Sequence, residues 1–288
     1  MAPEEGDYVR YFFMLKNVRN RKSSSIWTYY SRLNYIHQNK YGRKLQDWPR
    51  LTHQLRNYMK GYERNSATAF SREEMELAIQ VDNDTPQWVL WKAVVCVAFV
   101  GGLRGIELRS ITFGNVKEDH QGMWVEYYQA KRRGEEQRNG FVIPFNRSHP
   151  HLCWATRVVN YRAKLVESFP SIKPEDAFFR RALKDRFSQH EVLGKAAFGR
   201  IGKEIAQHLN LRDAHSYTGH TFRRSAATEA ANNGATSTDL KTGLGWENEK
   251  TGVQFNRHFR KPPKPFPKYI EMSQHIVPQY KSCPKICP

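Results

Sequence analysis

The stretch QWVLWKAVVCVAFVGGLRGIEL, residues 87–108, decides how this chain is read. From about Gln87 to Val100 it reads as an apolar helix, interrupted only by Lys92. The run from Val89 to Gly102 is too short to cross a bilayer, which takes about 20 apolar residues. Gly101 and Gly102 break the pattern, and a second helix is expected from Leu103. That helix carries Arg104 and Glu107, three positions apart, a spacing at which helical side chains meet.

Upstream, Phe70, Ser71 and Glu74 form a capping-box pattern, with Phe70 and Met75 placed as a hydrophobic staple. A new helix and a new domain are therefore expected there, after a short polar linker, Arg64 to Ala69. Ahead of the linker the chain reads as helices. Ser25 precedes the stripe Ile26, Tyr30, Leu33 and His37, and Pro49 opens a helix with Leu51, Leu55, Tyr58 and Tyr62 on one face. Met1 to Phe70 holds 13 basic and 5 acidic residues, a net of +8, which suits a small domain that tracks phosphates. Its interleaved aromatics, among them Tyr8, Phe12, Trp27 and Tyr30, read mainly as a small core, because aromatic rings dominate such cores by area.

Downstream the period changes. Met123–Gln129 and Phe141–Phe145 read as two strands flanking a charged loop, Lys131 to Gly140, too long for a tight turn. Beyond Pro150 the pattern is helical again, with an Ala-rich helix from Thr221 to Asn233 ended by Gly234. The last thirty residues are rich in Pro and Lys and read as an extended arm. The expected architecture is mainly α with a small antiparallel β-sheet, in two domains: 1–65, helical, and 69–259, followed by an arm over 260–288.

Charge narrows the function classes. Lys and Arg number 46 against 28 Asp and Glu, a net of +18 with pI near 9.8, so a polyanionic partner is expected, nucleic acid first. No stretch has the apolar and basic faces of a membrane-surface helix, and the N-terminus, with Glu4, Glu5 and Asp7, does not resemble a secretory signal. A soluble intracellular protein is the expectation, nuclear if the host is a eukaryote. Cys96, Cys153, Cys283 and Cys287 read as reduced thiols; the last two lack the further ligands a structural metal requires, so no metal is expected.

The chemistry is carried by two boxes, Gly102-Leu103-Arg104-Gly105-Ile106-Glu107-Leu108 and His220-Thr221-Phe222-Arg223-Arg224-Ser225. Leu244-Gly245-Trp246 follows, and Phe255 lies nine residues past Trp246. In order and spacing these resemble the tyrosine recombinase or phage integrase family, over about Tyr8 to Phe259. The resemblance implies a helical core-binding domain ahead of the catalytic one. It also implies an active site of Arg104, His220, Arg223 and Trp246, with Glu107 as the acidic residue. The family's catalytic lysine sits at the turn between the second and third strands, where Lys131 is the only lysine between Lys117 and Lys164. The nucleophilic tyrosine is replaced: position 255 is Phe, and neither Tyr269 nor Tyr280 has the right spacing.

What the resemblance implies has a physical logic. Charge developing on a phosphodiester's non-bridging oxygens is met by forked guanidinium groups, here Arg104 and Arg223. Lys131 would protonate the leaving 5′ oxygen, His220 would take the proton of the attacking hydroxyl, and the Trp246 N–H would bond a phosphate oxygen. Glu107 would neutralise and orient Arg104 or His220. Blander roles stay open: Glu107 as an ordinary i,i+3 partner, Trp246 as core, and Lys131 as one solvated charge beside Arg132 and Arg133. No cofactor is implied. DNA contacts are expected from Arg21, Lys22, Arg43, Lys44, Arg132, Arg133 and Arg224, with duplex DNA of inverted half-sites and identical protomers, dimer to tetramer, as partners.

Phe255 would leave the chain inactive. A deliberate Tyr-to-Phe change, a naturally silenced recombinase and a displaced tyrosine all fit, and the first accounts best for losing only a hydroxyl. The rivals are a type IB topoisomerase, a non-catalytic DNA-binding protein derived from a recombinase, and a basic RNA-binding helical protein.

Overall fold

The computed structural model describes residues 2–62, 67–130 and 136–244. The chain divides into two compact units, Met1–Ser66 and Ala67–Pro288.

The first unit is helical. Helix α1 (Glu5–Phe13) runs on into a π-helical turn, Met14–Val18, and is followed by α2 (Ser23–Tyr41), a 3-10 turn at Leu45–Asp47 and α3 (Pro49–Met59). Phe12, Leu15, Ile26, Tyr30, Leu45, Leu51 and Leu55 form its core, with Tyr8, Trp27 and Trp48 packed on the edge. Of the expected stripes, Ile26, Tyr30, His37, Leu51 and Leu55 are buried and Leu33 and Tyr58 half-buried, but α2 starts at Ser23 rather than after Ser25. Helix α3 stops at Met59, which leaves Tyr62 beyond its end.

The second unit opens with the Ser71 capping box: the Ser71 hydroxyl accepts from the Glu74 N–H (3.1 Å), and the Glu74 carboxylate accepts from the Ser71 N–H (2.8 Å). Helices α4 (Arg72–Gln80) and α5 (Pro86–Val100) follow. Helix α5 is buried nearly all round and lies at the centre of the unit. Its one charged residue, Lys92, is buried, and burial holds its ammonium below the ordinary lysine range even though Nζ donates to the Asn83 carbonyl (3.0 Å) and stands 3.6 Å from Asp84.

The break at Gly101 and Gly102 is a Schellman turn. Gly102 sits at φ +56°, its N–H donates to the Phe99 carbonyl, and the Leu103 N–H donates to the Ala98 carbonyl. Leu103 is consequently a buried turn residue, and helix α6 (Gly105–Ser110) starts two residues later than its apolar pattern suggests, with Arg104 as N-cap.

An antiparallel sheet comes next, in the order β1 (Val116–Glu118), β2 (Gly122–Ala130) and β3 (Glu136–Pro144). The β2–β3 ladder pairs Gly122 with Pro144 and runs to Ala130 opposite Glu136, so the charged loop expected over 131–140 shrinks to the connection 131–135. Helix α7 (Trp154–Ser168) packs on α5. A two-stranded hairpin, β4 (Arg180–Ala182) and β5 (Phe187–Val192), then interrupts what reads as continuous helix. Helices α8 (Lys195–His208), α9 (Thr221–Asn232) and α10 (Ser237–Leu244) complete the described chain. Cys96 and Cys153 are buried free thiols, and burial pushes that of Cys96 far above its ordinary range.

Candidate active site

The two boxes that stood 116 positions apart in sequence, counted from Arg104 to His220, meet through one carboxylate. Glu107 is only 2% exposed. Its Oε2 accepts from the Arg104 backbone N–H, and its Oε1 accepts from Arg104 Nη1, both at 2.7 Å. On its other side Arg223 Nη1 stands 3.9 Å from Glu107 Oε2. Two guanidinium charges thus face one carboxylate, and the cluster keeps a net positive charge. That is the sign needed to receive an anion, with Glu107 buried, Arg223 largely so and the Arg104 side chain reaching the surface.

Arg223 is held by more than Glu107. Nη1 donates to the Gly102 carbonyl at 2.6 Å, and Nη2 donates to the Leu244 carbonyl at the end of α10. One side chain therefore ties α9 to the Schellman turn ahead of α6 and to the last turn of α10. Gly102 has a second reason to lack a side chain, because a Cβ there would run into the Leu244 side chain.

The face of α9 opposite His220 and Arg223 is fixed by the start of the second unit. Phe70 donates its N–H to Ser225 Oγ at 2.8 Å, Ser225 in turn donates to the Thr221 carbonyl, and the Phe70 ring stacks on Phe222 and meets Tyr217. Thr68 continues the clamp through its N–H to the Ser216 carbonyl. Sequence reasoning placed Gly102, Leu244 and Ser225 within the motifs but gave them no part, because their parts are played by backbone carbonyls and by a buried hydroxyl.

His220 is the N-cap of α9, exposed, one turn before Arg223 on the same helix. Of the two partners expected for Glu107, Arg104 or His220, the structure pairs it with Arg104 and adds Arg223, and no bond joins it to His220 among the described residues. Arg224 is half-buried on α9. Arg21 and Lys22 are exposed at the start of α2, while Arg43 and Lys44 are exposed just past its end, so the structure separates these two pairs by the length of a helix. Lys131, Arg132, Arg133, Trp246, Phe255, Cys283, Cys287 and the arm over 260–288 lie outside the described residues. Lys131 follows Ala130, the last residue of β2, and Trp246 is two positions past Leu244.

Among the described residues no helix is long and apolar enough to cross a membrane, and no group of three His, Cys, Asp or Glu side chains is placed to hold a metal ion.

The model of the phage integrase family matches residues 69–261, and the chain belongs to that family of tyrosine recombinases. The fold is shared with solved recombinase structures. A XerH site-specific recombinase, solved as a post-cleavage complex on a palindromic difH substrate, is 13% identical with a TM-score of 0.59, over 90% of this chain and 70% of that one. The Tn1549 transposon integrase in complex with circular intermediate DNA is 14% identical at TM-score 0.56, over 88% of this chain and 81% of that one. A lambda integrase dimer bound to a core site is 10% identical at TM-score 0.52, over 92% of this chain and 83% of that one. No curated protein matches the chain significantly.

Proposed function

We propose that this protein binds duplex DNA and that its active site is built to cut and rejoin strands through a 3′-phosphotyrosyl link, with position 255 as the place of the nucleophile. The observation that carries this reading is the Arg104–Glu107–Arg223 cluster, which brings the two boxes to one positively charged point. In the reaction a tyrosine oxygen at 255 attacks phosphorus and its proton passes to His220. The bond from phosphorus to the 5′ oxygen breaks, and Lys131 gives that oxygen a proton. Arg104 and Arg223 donate to the non-bridging oxygens, with the Trp246 N–H as a further donor. Attack by a 5′ hydroxyl on the phosphotyrosine reverses the steps and restores a phosphodiester, so no cofactor is called for.

With Phe255 in place the phosphate would be bound and polarised but not attacked, and the chain would be a DNA binder without strand cleavage. The absent hydroxyl also favours a second reading, a recombinase descendant that only binds DNA. Phe255→Tyr separates the two. Residues 1–65 would act as the core-binding domain, 69–259 as the catalytic domain, and the arm over 260–288 as a contact to a second protomer or to DNA. Relatives solved on palindromic or core-site DNA, one of them as a dimer, support inverted half-sites and a homo-oligomer, dimer to tetramer, as the assembly.

Duplex binding is tested by gel shift across a salt series. Specific binding to an inverted-repeat duplex should survive salt that removes non-specific binding, because each neutralised phosphate steepens the salt dependence. Equal affinity for single-stranded RNA at every salt concentration would overturn the duplex reading.

A further inference from the structure

The loop that follows α2 carries Arg43 and Lys44, and both side chains are exposed and make no ion pair or hydrogen bond among the described residues. Their backbone, in contrast, is held at both carbonyls and at the flanking Gly42 and Leu45 N–H groups. Gly42, at φ +70°, closes α2 by donating its N–H to the Gln38 carbonyl, a conformation that favours glycine. The Arg43 carbonyl lies 2.8 Å from His37 Nδ1, and since a carbonyl can only accept, Nδ1 carries the hydrogen. The next peptide N–H but one, that of Leu45, donates to Asn34 Oδ1 at 2.7 Å, and the Leu45 side chain is fully buried in the core. The Lys44 carbonyl accepts from the Asp47 N–H.

His37 is itself locked. It is 2% exposed and packed among the rings of Tyr8, Tyr41 and Trp48, at 5.6, 4.9 and 5.0 Å. The ring is thereby fixed with Nδ1 aimed at the Arg43 carbonyl.

Two free cations on a rigid two-residue shelf are what a phosphate contact needs, because ordering the backbone beforehand removes part of the entropy lost on binding. We propose that Asn34 and His37 are positioning residues that hold the Arg43–Lys44 shelf for the DNA backbone. This rests on the duplex-binding reading above.

The test measures binding of the full chain to a random-sequence duplex of about 30 base pairs over a salt series. Each lost phosphate contact lowers the slope of log K against log[salt] by about 0.9. Arg43→Ala combined with Lys44→Ala should lower the slope by about two contacts' worth. Asn34→Ala should lower it by about one and weaken binding about fivefold, with Tm within about 3 °C of the parent. Hydrogen exchange at the Leu45 amide of the unmodified chain supplies a reading that does not depend on a variant folding; protection comparable to the α2 interior is expected. An unchanged slope in Asn34→Ala beside a lowered slope in the double variant would overturn the positioning role alone. An unchanged slope in the double variant would remove the shelf from the DNA contact altogether. Leu45 exchanging at the rate of an open loop would also overturn the proposal.

Discussion

A carboxylate with 2% exposure between two guanidinium groups is a costly arrangement unless both partners stay in place. Glu107→Ala would leave Arg223, itself 11% exposed, facing Arg104 with nothing between them, and we expect a loss of about 3 kcal/mol in urea unfolding. Glu107→Gln keeps the acceptor for the Arg104 N–H but not the charge, and should fall between the two. Arg104→Ala and Arg223→Ala each leave Glu107 one remaining arginine, so they cost some stability as well as chemistry. In a background with tyrosine at 255, each should reduce cleavage about a hundredfold or more, by analogy with lost oxyanion donors. Near-normal cleavage in either would remove that arginine from the phosphate site. Arg223→Ala should additionally loosen α10, since it deletes the donor to the Leu244 carbonyl, whereas Arg104→Ala should not. Hydrogen exchange over residues 237–244 distinguishes the two.

At the scale of elements, the Schellman turn between α5 and α6 places Arg104 and offers Arg223 an acceptor. Gly102→Ala forces a side chain into a positive-φ position and against Leu244, so a drop in Tm of several degrees is expected, larger than for Gly105→Ala, where a Cβ meets nothing. Local patterns carried such elements well in the sequence: the Ser71–Glu74 box, the apolar α5 and the Gly234 stop of α9 each rest on neighbours within a few positions. What the sequence hid has a physical reason. The first part of β3, Glu136–Asn139, is polar in sequence and is a strand by its ladder, which runs from Tyr127 opposite Asn139 to Ala130 opposite Glu136, so no hydrophobic alternation announces it. The strand β5 buries Phe187 and Ser188 and exposes the next four residues, so it shows no alternation. Leu103 looked helical because it is apolar, yet its burial belongs to the turn. The order and spacing of the two boxes singled out Arg104, Glu107 and Arg223, which the fold brings together; that Glu107 would face Arg223 as well as Arg104 depended on packing that no spacing encodes.

Across the whole molecule, the two basic pairs of the first unit expected at DNA stand at the two ends of α2, whose 19 residues span about 28 Å, or about eight base pairs of duplex. Arg21 and Lys22 at one end and Arg43 and Lys44 at the other would therefore meet different phosphates, and replacing either pair by Ala should lower the salt slope independently of the other. Assembly is a separate matter. The segment from Asn256 to Pro288 holds 7 basic residues and 1 acidic, and removing Pro262 to Pro288 should impair assembly on a paired site more than binding to a half-site; equal losses would argue against a role between protomers. The central claim is that this is a recombinase active site lacking one oxygen atom. It is tested most directly by Phe255→Tyr on a nicked suicide substrate that the chain binds specifically, read as a complex that survives denaturation. The expected result is a covalent adduct with Phe255→Tyr, none with the unmodified chain, and none when Phe255→Tyr is combined with Arg223→Ala. A Phe255→Tyr protein that binds the substrate and forms no adduct would contradict the claim, and an adduct from the unmodified chain would place the nucleophile elsewhere, with Tyr269 the first residue to replace.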